Sequence, residues 1–300
     1  MAINWFPGHM HKARKEIKKV MPQMDLIIEV LDARLPFSSE NPLVPALRGD
    51  TPVIKVLNKR DLADPDVTAQ WQAWLEKERG VRAITMTQNQ RGEALDIIRL
   101  ATEMTPGHDR QKSALRVMIL GIPNVGKSTL INTLAGRPVA KTGNEPAVTR
   151  AQQAIKLPDN VLLYDTPGFL WPKLSPAACG YRLAISGAIR SAVIEFEDVA
   201  LFAADYLLDA YTDQVLERYG FDERPEDGLA LMDGIAAKRR FLRKGGVPDL
   251  HKVSEVLLNE FRSGKLGRMS LETPRNDRAG NLRSPRDCLT GFPASRWTHR

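Results

Sequence analysis

The chain has 300 residues, is 43% hydrophobic and 26% charged, and carries a net charge of +7. That is ordinary globular usage with enough apolar residues for a sizeable core, and the length favours two domains over one. Its two cysteines, Cys179 and Cys288, lie far apart without metal spacing, which argues against a disulfide framework or a zinc site; with no apolar run long enough to span a bilayer and no signal-peptide core in "MAINWFPGHM", the expected location is the cytosol.

In chain order, short β-rich apolar runs predict strands over 25–33, 52–58, 82–87, 116–121, 153–157 and 160–165. Helical patterns fall between several of them, over 66–80, 93–104 and 127–136. The alternation implies an α/β fold with a mostly parallel sheet and helices on both faces. The polar segment 105–113, "TPGHDRQKS", reads as a linker. From about residue 190 onward the pattern turns helical, over 199–220, 226–246 and 249–264. Apolar stripes there, including Leu201, Leu208, Tyr211, Val215, Tyr219, Leu229, Met232, Ile235, Val253, Leu257 and Phe261, read as the core of a bundle. Residues 276–300 lack periodicity and read as a disordered basic tail. The expected division is 1–190, 191–275 and 276–300.

Charge is distributed unevenly. Residues 1–20 hold five Lys/Arg against one Glu, 195–233 hold twelve Asp/Glu against two Arg, and 234–300 hold fifteen Lys/Arg against six Asp/Glu. Two basic ends flanking an acidic stretch suggest a polyanionic partner, with solvated helix faces as the plainer alternative. Within the basic end, Lys238, Arg239, Arg240, Arg243 and Lys244 put five cations in seven residues. A helix C-terminus needs one or two, so an RNA backbone contact is favoured.

The motifs specify a nucleotide. "GIPNVGKS" (121–128) satisfies G-x-x-x-x-G-K-[ST] between a strand and a helix. Gly121 and Gly126 let backbone amides wrap phosphates, Lys127 reaches the β- and γ-phosphates, and Ser128 ligates Mg²⁺. The candidate contacts in this loop are Asn124, Val125, Gly126, Lys127, Ser128 and Thr129. Asp165 of "DTPG" (165–168) can hold Mg²⁺, and Gly168 permits close approach to a γ-phosphate. Thr149, in the polar loop 143–150, is placed to offer Mg²⁺ a hydroxyl and to sense the γ-phosphate. "NKRD" (58–61) follows a strand. The Asp61 carboxylate would accept two bonds from guanine that adenine cannot donate; Asn58 would contact the base edge or brace the phosphate loop, and the Lys59 stem would cover the ring. GTP is therefore preferred over ATP, and an ATP-using phosphotransferase is disfavoured.

"NKRD" precedes the phosphate loop, the reverse of an ordinary GTPase. With "WFPGHM" (5–10), "DARLPFSSENP" (32–42), "GIPNVGKSTLIN" (121–132), "DTPG" (165–168) and "KLGRMSLETP" (265–274), the chain resembles the circularly permuted ribosome-biogenesis GTPase A (RbgA/YlqF) family over roughly residues 1–275. The resemblance implies a circularly permuted P-loop G domain followed by a smaller all-helical domain. It also implies a GTPase that matures the large ribosomal subunit, binding that subunit and its rRNA with GTP and leaving after hydrolysis. A monomer is expected off the ribosome. Two stretches depart from the family pattern: "PAVTR" has Ala147 where Gly is usual, and the loop 85–92 shows no Ser-Ala-type guanine contact, leaving Thr87 and Gln88 as candidates.

Hydrolysis needs a group that orients water. Phe169 occupies the position of the usual Gln after Asp-x-x-Gly, and a hydrophobic side chain cannot do this. From the residues alone His9 reads as a surface or RNA-facing histidine; the resemblance makes it the favoured catalytic residue. Asn124 in the phosphate loop resembles the Asn that helps hold K⁺ in potassium-activated GTPases, which implies a part in holding K⁺. Lys127, Thr149 and Gly168 complete the expected catalytic set. The runner-up function is a nucleotide-gated RNA-binding module with negligible hydrolysis.

Overall fold

The computed structural model describes residues 15, 17–88, 90–140, 153–168, 170, 177–189 and 195–274. All six strand expectations are realised, as β1 (Leu26–Asp32), β2 (Val53–Asn58), β3 (Val81–Met86), β4 (Leu115–Gly121), β5 (Gln153–Leu157) and β6 (Val161–Asp165). They form one sheet in the order β3-β2-β1-β4-β6-β5. Every pairing is parallel except β5–β6, an antiparallel edge. β1 and β2 are buried along their whole length, which requires cover on both faces.

That cover comes from helices α1 (Pro36–Ser39), α2 (Leu43–Leu47), α3 (Pro65–Leu75), α4 (Arg91–Met104) and α5 (Lys127–Ala135). Trp71 and Leu75 of α3 pack on Leu31 and Leu57 in one cluster. Ile97 and Ile98 of α4 and Ile131 of α5 join the other strand face in the main core. Asp64 caps α3 by accepting from the amides of Asp66 and Val67. That helix stops at Leu75, short of Gly80, which instead takes a left-handed turn (φ 74°) into β3.

A further helix, α6 (Ala177–Ser186), follows β6 and has no counterpart among the sequence expectations. The stretch 199–220 is two helices rather than one, α7 (Phe196–Ala210) and α8 (Thr212–Tyr219). They break at Tyr211, whose hydroxyl is bonded to Ser270. Helix α9 (Gly228–Arg239) also ends early, because Arg240 adopts a left-handed conformation (φ 57°) and residues 241–249 fold into a hairpin closed by a Leu242–Pro248 bridge. The last helix is α10 (Leu250–Arg262). Most of the expected bundle stripe is buried, but Leu229 is 43% exposed: it sits in the first turn of α9, outside the face packed on α7 and α10. The buried residues of α6–α10 belong to the same cluster as the sheet core. Linker 105–113 joins α4 to β4 without a regular element. The expected tail 276–300 lies outside the described residues.

Candidate functional site

The carboxyl ends of β2, β4 and β6 bring the motifs together. β4 ends at Gly121, where a Cβ would lie 2.9 Å from both the Val30 carbonyl and the Val125 side chain. The loop then turns through Asn124 (φ 58°) and Gly126 (φ 98°) into α5. Two left-handed residues in three curl the backbone into a concave run of amides, which suits an anion. Ser128 and Thr129 stand half-buried in the first turn of α5, where the helix dipole favours negative charge.

Lys127 is buried and ion-paired with Asp165 at the end of β6. Burial lowers the Lys127 pKa, and the Asp165 carboxylate opposes that shift. The next residue, Thr166, donates its hydroxyl to the Ile119 carbonyl at 2.8 Å and holds "DTPG" to β4. A Cβ on Gly168 would stand 3.3 Å from the Pro123 nitrogen, so glycine lets that turn lie close against the phosphate loop where a larger residue would press on its backbone.

"NKRD" is tied directly to the same loop. Asn58 donates its side-chain amide to the Val125 carbonyl at 2.8 Å, and its Oδ1 is buried without a protein partner. Lys59, in a left-handed conformation (φ 62°), donates to the Asn124 carbonyl and to Asp32, each at 2.9 Å. Asp61 lies in the following three-residue turn, Arg60–Leu62, with its side chain exposed. Thr87 and Gln88 are brought to the same place. Glu93 accepts from the Thr87 amide at 2.7 Å and pairs with Arg60. The Gln88 amide nitrogen stands 2.7 Å from where a Gly126 Cβ would sit.

Sequence reasoning gave no role to the individual residues of "DARLPFSSENP", and each polar one has a partner. Asp32 receives a two-pronged bond from Arg34 (2.9 and 2.8 Å) and a third from Lys59. Burial alone would raise the Asp32 pKa, but the two cations outweigh it and hold the carboxyl well below the usual range. Ser39 accepts from the Asp32 amide. Glu40 and Glu29 share the buried ammonium of Lys55, and the Asn41 amide donates to Glu29 at 2.7 Å. Ser38 donates to Glu272, which also pairs with Arg182 of α6 at 3.2 Å. Cys179, beside this cluster, is a packed thiol whose pKa burial pushes up to about 11.

Asn124 donates its side-chain amide to the Gly187 carbonyl, just past α6. His9 and Thr149 lie outside the described residues, as do Phe169 and "PAVTR". Three of the five clustered cations are engaged locally: Lys238 with the Gly220 carbonyl, Arg239 with Glu260 and Arg243 with Asp249. Arg240 and Lys244 have exposed side chains and no ion pair with a described residue.

A phosphate loop on a parallel strand, backed by a carboxylate strand and bonded to an Asn-Lys-x-Asp turn, defines a P-loop GTPase. A sequence family described as a 50S ribosome-binding GTPase matches residues 116–228, beginning at β4. The chain is 44% identical to ribosome biogenesis GTPase A of Bacillus cereus over 282 residues, covering 91% of this chain and 95% of that one. Against the protein of the same name from Thermotoga maritima it is 32% identical, with 91% and 95% covered. Two solved structures are similar throughout: GDP-bound YlqF (TM-score 0.62, 29% identity, 86% of this chain and 99% of that one) and GNP-bound YlqF from T. maritima (0.61, 28%, 89% and 100%). The chain belongs to the ribosome biogenesis GTPase A family.

Proposed function

We propose that this chain hydrolyses GTP as a maturation factor for the large ribosomal subunit, associating with its rRNA in the GTP state. The observation that carries the reading is the pair of bonds from Asn58 and Lys59 to the Val125 and Asn124 carbonyls. They make the base-reading turn and the phosphate loop one body, so a single ligand carrying both guanine and phosphates satisfies the site. The buried Oδ1 of Asn58 and the glycine-lined cradle at Gly126 fit that ligand.

In this reading Asp61 accepts from the guanine edge, Asn58 braces the phosphate loop, and the Lys59 stem covers the ring. The amides of Asn124 to Thr129 surround the phosphates. Lys127 leaves Asp165 for the β- and γ-phosphates, and Gly168 presents its amide to the γ-phosphate. Ser128, Thr149 and Asp165 would hold Mg²⁺, and Asn124 would help hold K⁺; both ions supply positive charge against phosphate oxygens. His9 orients the attacking water, since an imidazole near neutral pKa can accept its proton. The early position of "NKRD" corresponds to a circular permutation that hangs the helical segment on the γ-phosphate loop.

No helix among the described residues is long and apolar enough to cross a membrane. The relatives' names carry the ribosomal assignment, and Arg240 and Lys244 supply an RNA-facing surface. The deciding experiment is steady-state GTP hydrolysis in K⁺ buffer, alone and with large or small ribosomal subunits. Stimulation by the large subunit, lost in His9→Ala, is expected. GTP binding with no stimulation by either subunit would favour a nucleotide-gated RNA-binding module instead.

A further inference from the structure

Beyond α10 the chain runs over the turn that follows β2 and on to the segment that follows β1. Leu266 and residues 269–272 are buried there. The contacts form a ladder. Arg268 donates from Nε to the Ala63 carbonyl at 3.0 Å and from a terminal nitrogen to the Arg60 carbonyl at 3.2 Å. The Met269 amide donates to the Leu62 carbonyl at 3.0 Å, and Ser270 Oγ accepts from the Asp64 amide at 3.2 Å. The Leu271 amide donates to the Arg34 carbonyl at 2.7 Å, and the Trp71 indole donates to the Glu272 carbonyl. Ser270 is itself held by Tyr211, whose hydroxyl accepts from the Ser270 amide at 2.8 Å.

Three successive residues of this strap thus satisfy backbone groups of residues 60–64, the turn that carries Asp61. That turn is a single short 3₁₀ element, which has little cohesion of its own. It is entered through the left-handed Lys59. Lys59 anchors one side of it to Asp32 and the phosphate loop; the strap supports the other. Arg268 is exposed, so no burial forces its orientation, yet its guanidinium converges on two carbonyls of one turn. A lysine could not bridge both in this planar way.

We propose that Arg268 is a positioning residue for guanine recognition: by bridging the Arg60 and Ala63 carbonyls it holds the turn so that Asp61 meets the base, which makes the segment after α10 part of the base-reading apparatus. This rests on the reading of residues 58–61 as the guanine-binding turn.

The test is competition against a fluorescent GDP by GDP, IDP, ADP and inorganic triphosphate, in the full chain. IDP lacks the 2-amino group, so the GDP-over-IDP preference reports how well Asp61 is aimed. In Arg268→Ala, GDP affinity should fall about tenfold, the loss of a typical intramolecular hydrogen bond or two. IDP should fall less, so the preference shrinks, and inorganic triphosphate should stay within about twofold. Arg268→Lys should recover only part. Tyr211→Phe, which releases Ser270, should shift the preference in the same direction to a smaller extent. An unchanged preference in Arg268→Ala would overturn the proposal, as would equal losses of GDP and triphosphate, which mark general loosening. Equal competition by ADP and GDP in the unsubstituted protein would sink the guanine reading itself, and the role of Arg268 with it.

Discussion

The side-chain amide of Asn124 donates to the Gly187 carbonyl at 2.8 Å, across 63 residues of sequence. One end of this bond lies in the phosphate loop, the other just past α6. Arg262 of α10 donates to the Ile185 and Ala184 carbonyls at the same helix end, each at 2.8 Å. The phosphate loop and the helical segment therefore meet at one carbonyl cluster. If Asn124 also serves K⁺, its substitution removes the cation's advantage. Asn124→Ala should hydrolyse GTP at equal rates in K⁺ and Na⁺, whereas the unsubstituted protein should be faster in K⁺; turnover in matched chloride salts measures this.

Lys127 and Asp165 are mutually paired and almost fully buried, with side chains 6% and 2% exposed. Removing the lysine strands a carboxylate in the interior. Lys127→Met should lose nucleotide binding and cost about 3–5 kcal/mol of nucleotide-free stability in urea unfolding. The double variant Lys127→Met/Asp165→Asn should regain most of that stability without regaining binding.

Asp32 gives a pH signature. Its folded-state pKa is lowered, since Arg34 and Lys59 outweigh the burial that would raise it. The stability it contributes is present above the ordinary carboxylate value of about 4 and drains away as the pH falls below it. Asp32→Asn should be less stable than the parent by about 2–4 kcal/mol near neutrality. The gap should hold from pH 8 to 5 and narrow below about 4, as read by denaturant midpoints across that range.

The basic run divides into engaged and available cations. Arg240→Gln/Lys244→Gln should weaken binding to large-subunit rRNA and reduce the salt slope of log K by roughly 2, about 0.9 per lost phosphate contact. Lys238→Gln, whose ammonium is held by the Gly220 carbonyl, should leave the slope nearly unchanged.

Local features of this molecule were readable from sequence. Strand positions followed from short apolar runs, and the phosphate loop and "NKRD" each carry their chemistry within a few residues. What escaped is long-range. The bond from Asn58 to Val125 spans 67 residues, and that between Asp64 and Ser270 spans 206. No local pattern encodes either. "DARLPFSSENP" entered only as one of the motifs carrying the family resemblance, and its partners come from β2, the turn after β2 and the strap. Helix α6 was missed because Gly180 interrupts its interior, a residue that weakens any helical expectation. At the split, the Tyr211 phenol bonds to Ser270, outside both helices, and periodicity cannot register such a contact.

The sheet order has a consequence for synthesis. β1 lies between β2 and β4, and β4 emerges from the ribosome about ninety residues after it, at the strand spacing the chain dictates. Until then β1, β2 and β3 can pair, but one edge of β1 presents unpaired backbone flanked by Ile27, Ile28 and Val30, all fully buried once β4 arrives. A nascent chain halted before β4 is thus a sticky, open-edged half-sheet. Even a chain halted after β6 still lacks the strap at 268–272, so the base-reading turn is the last part of the nucleotide site to be secured.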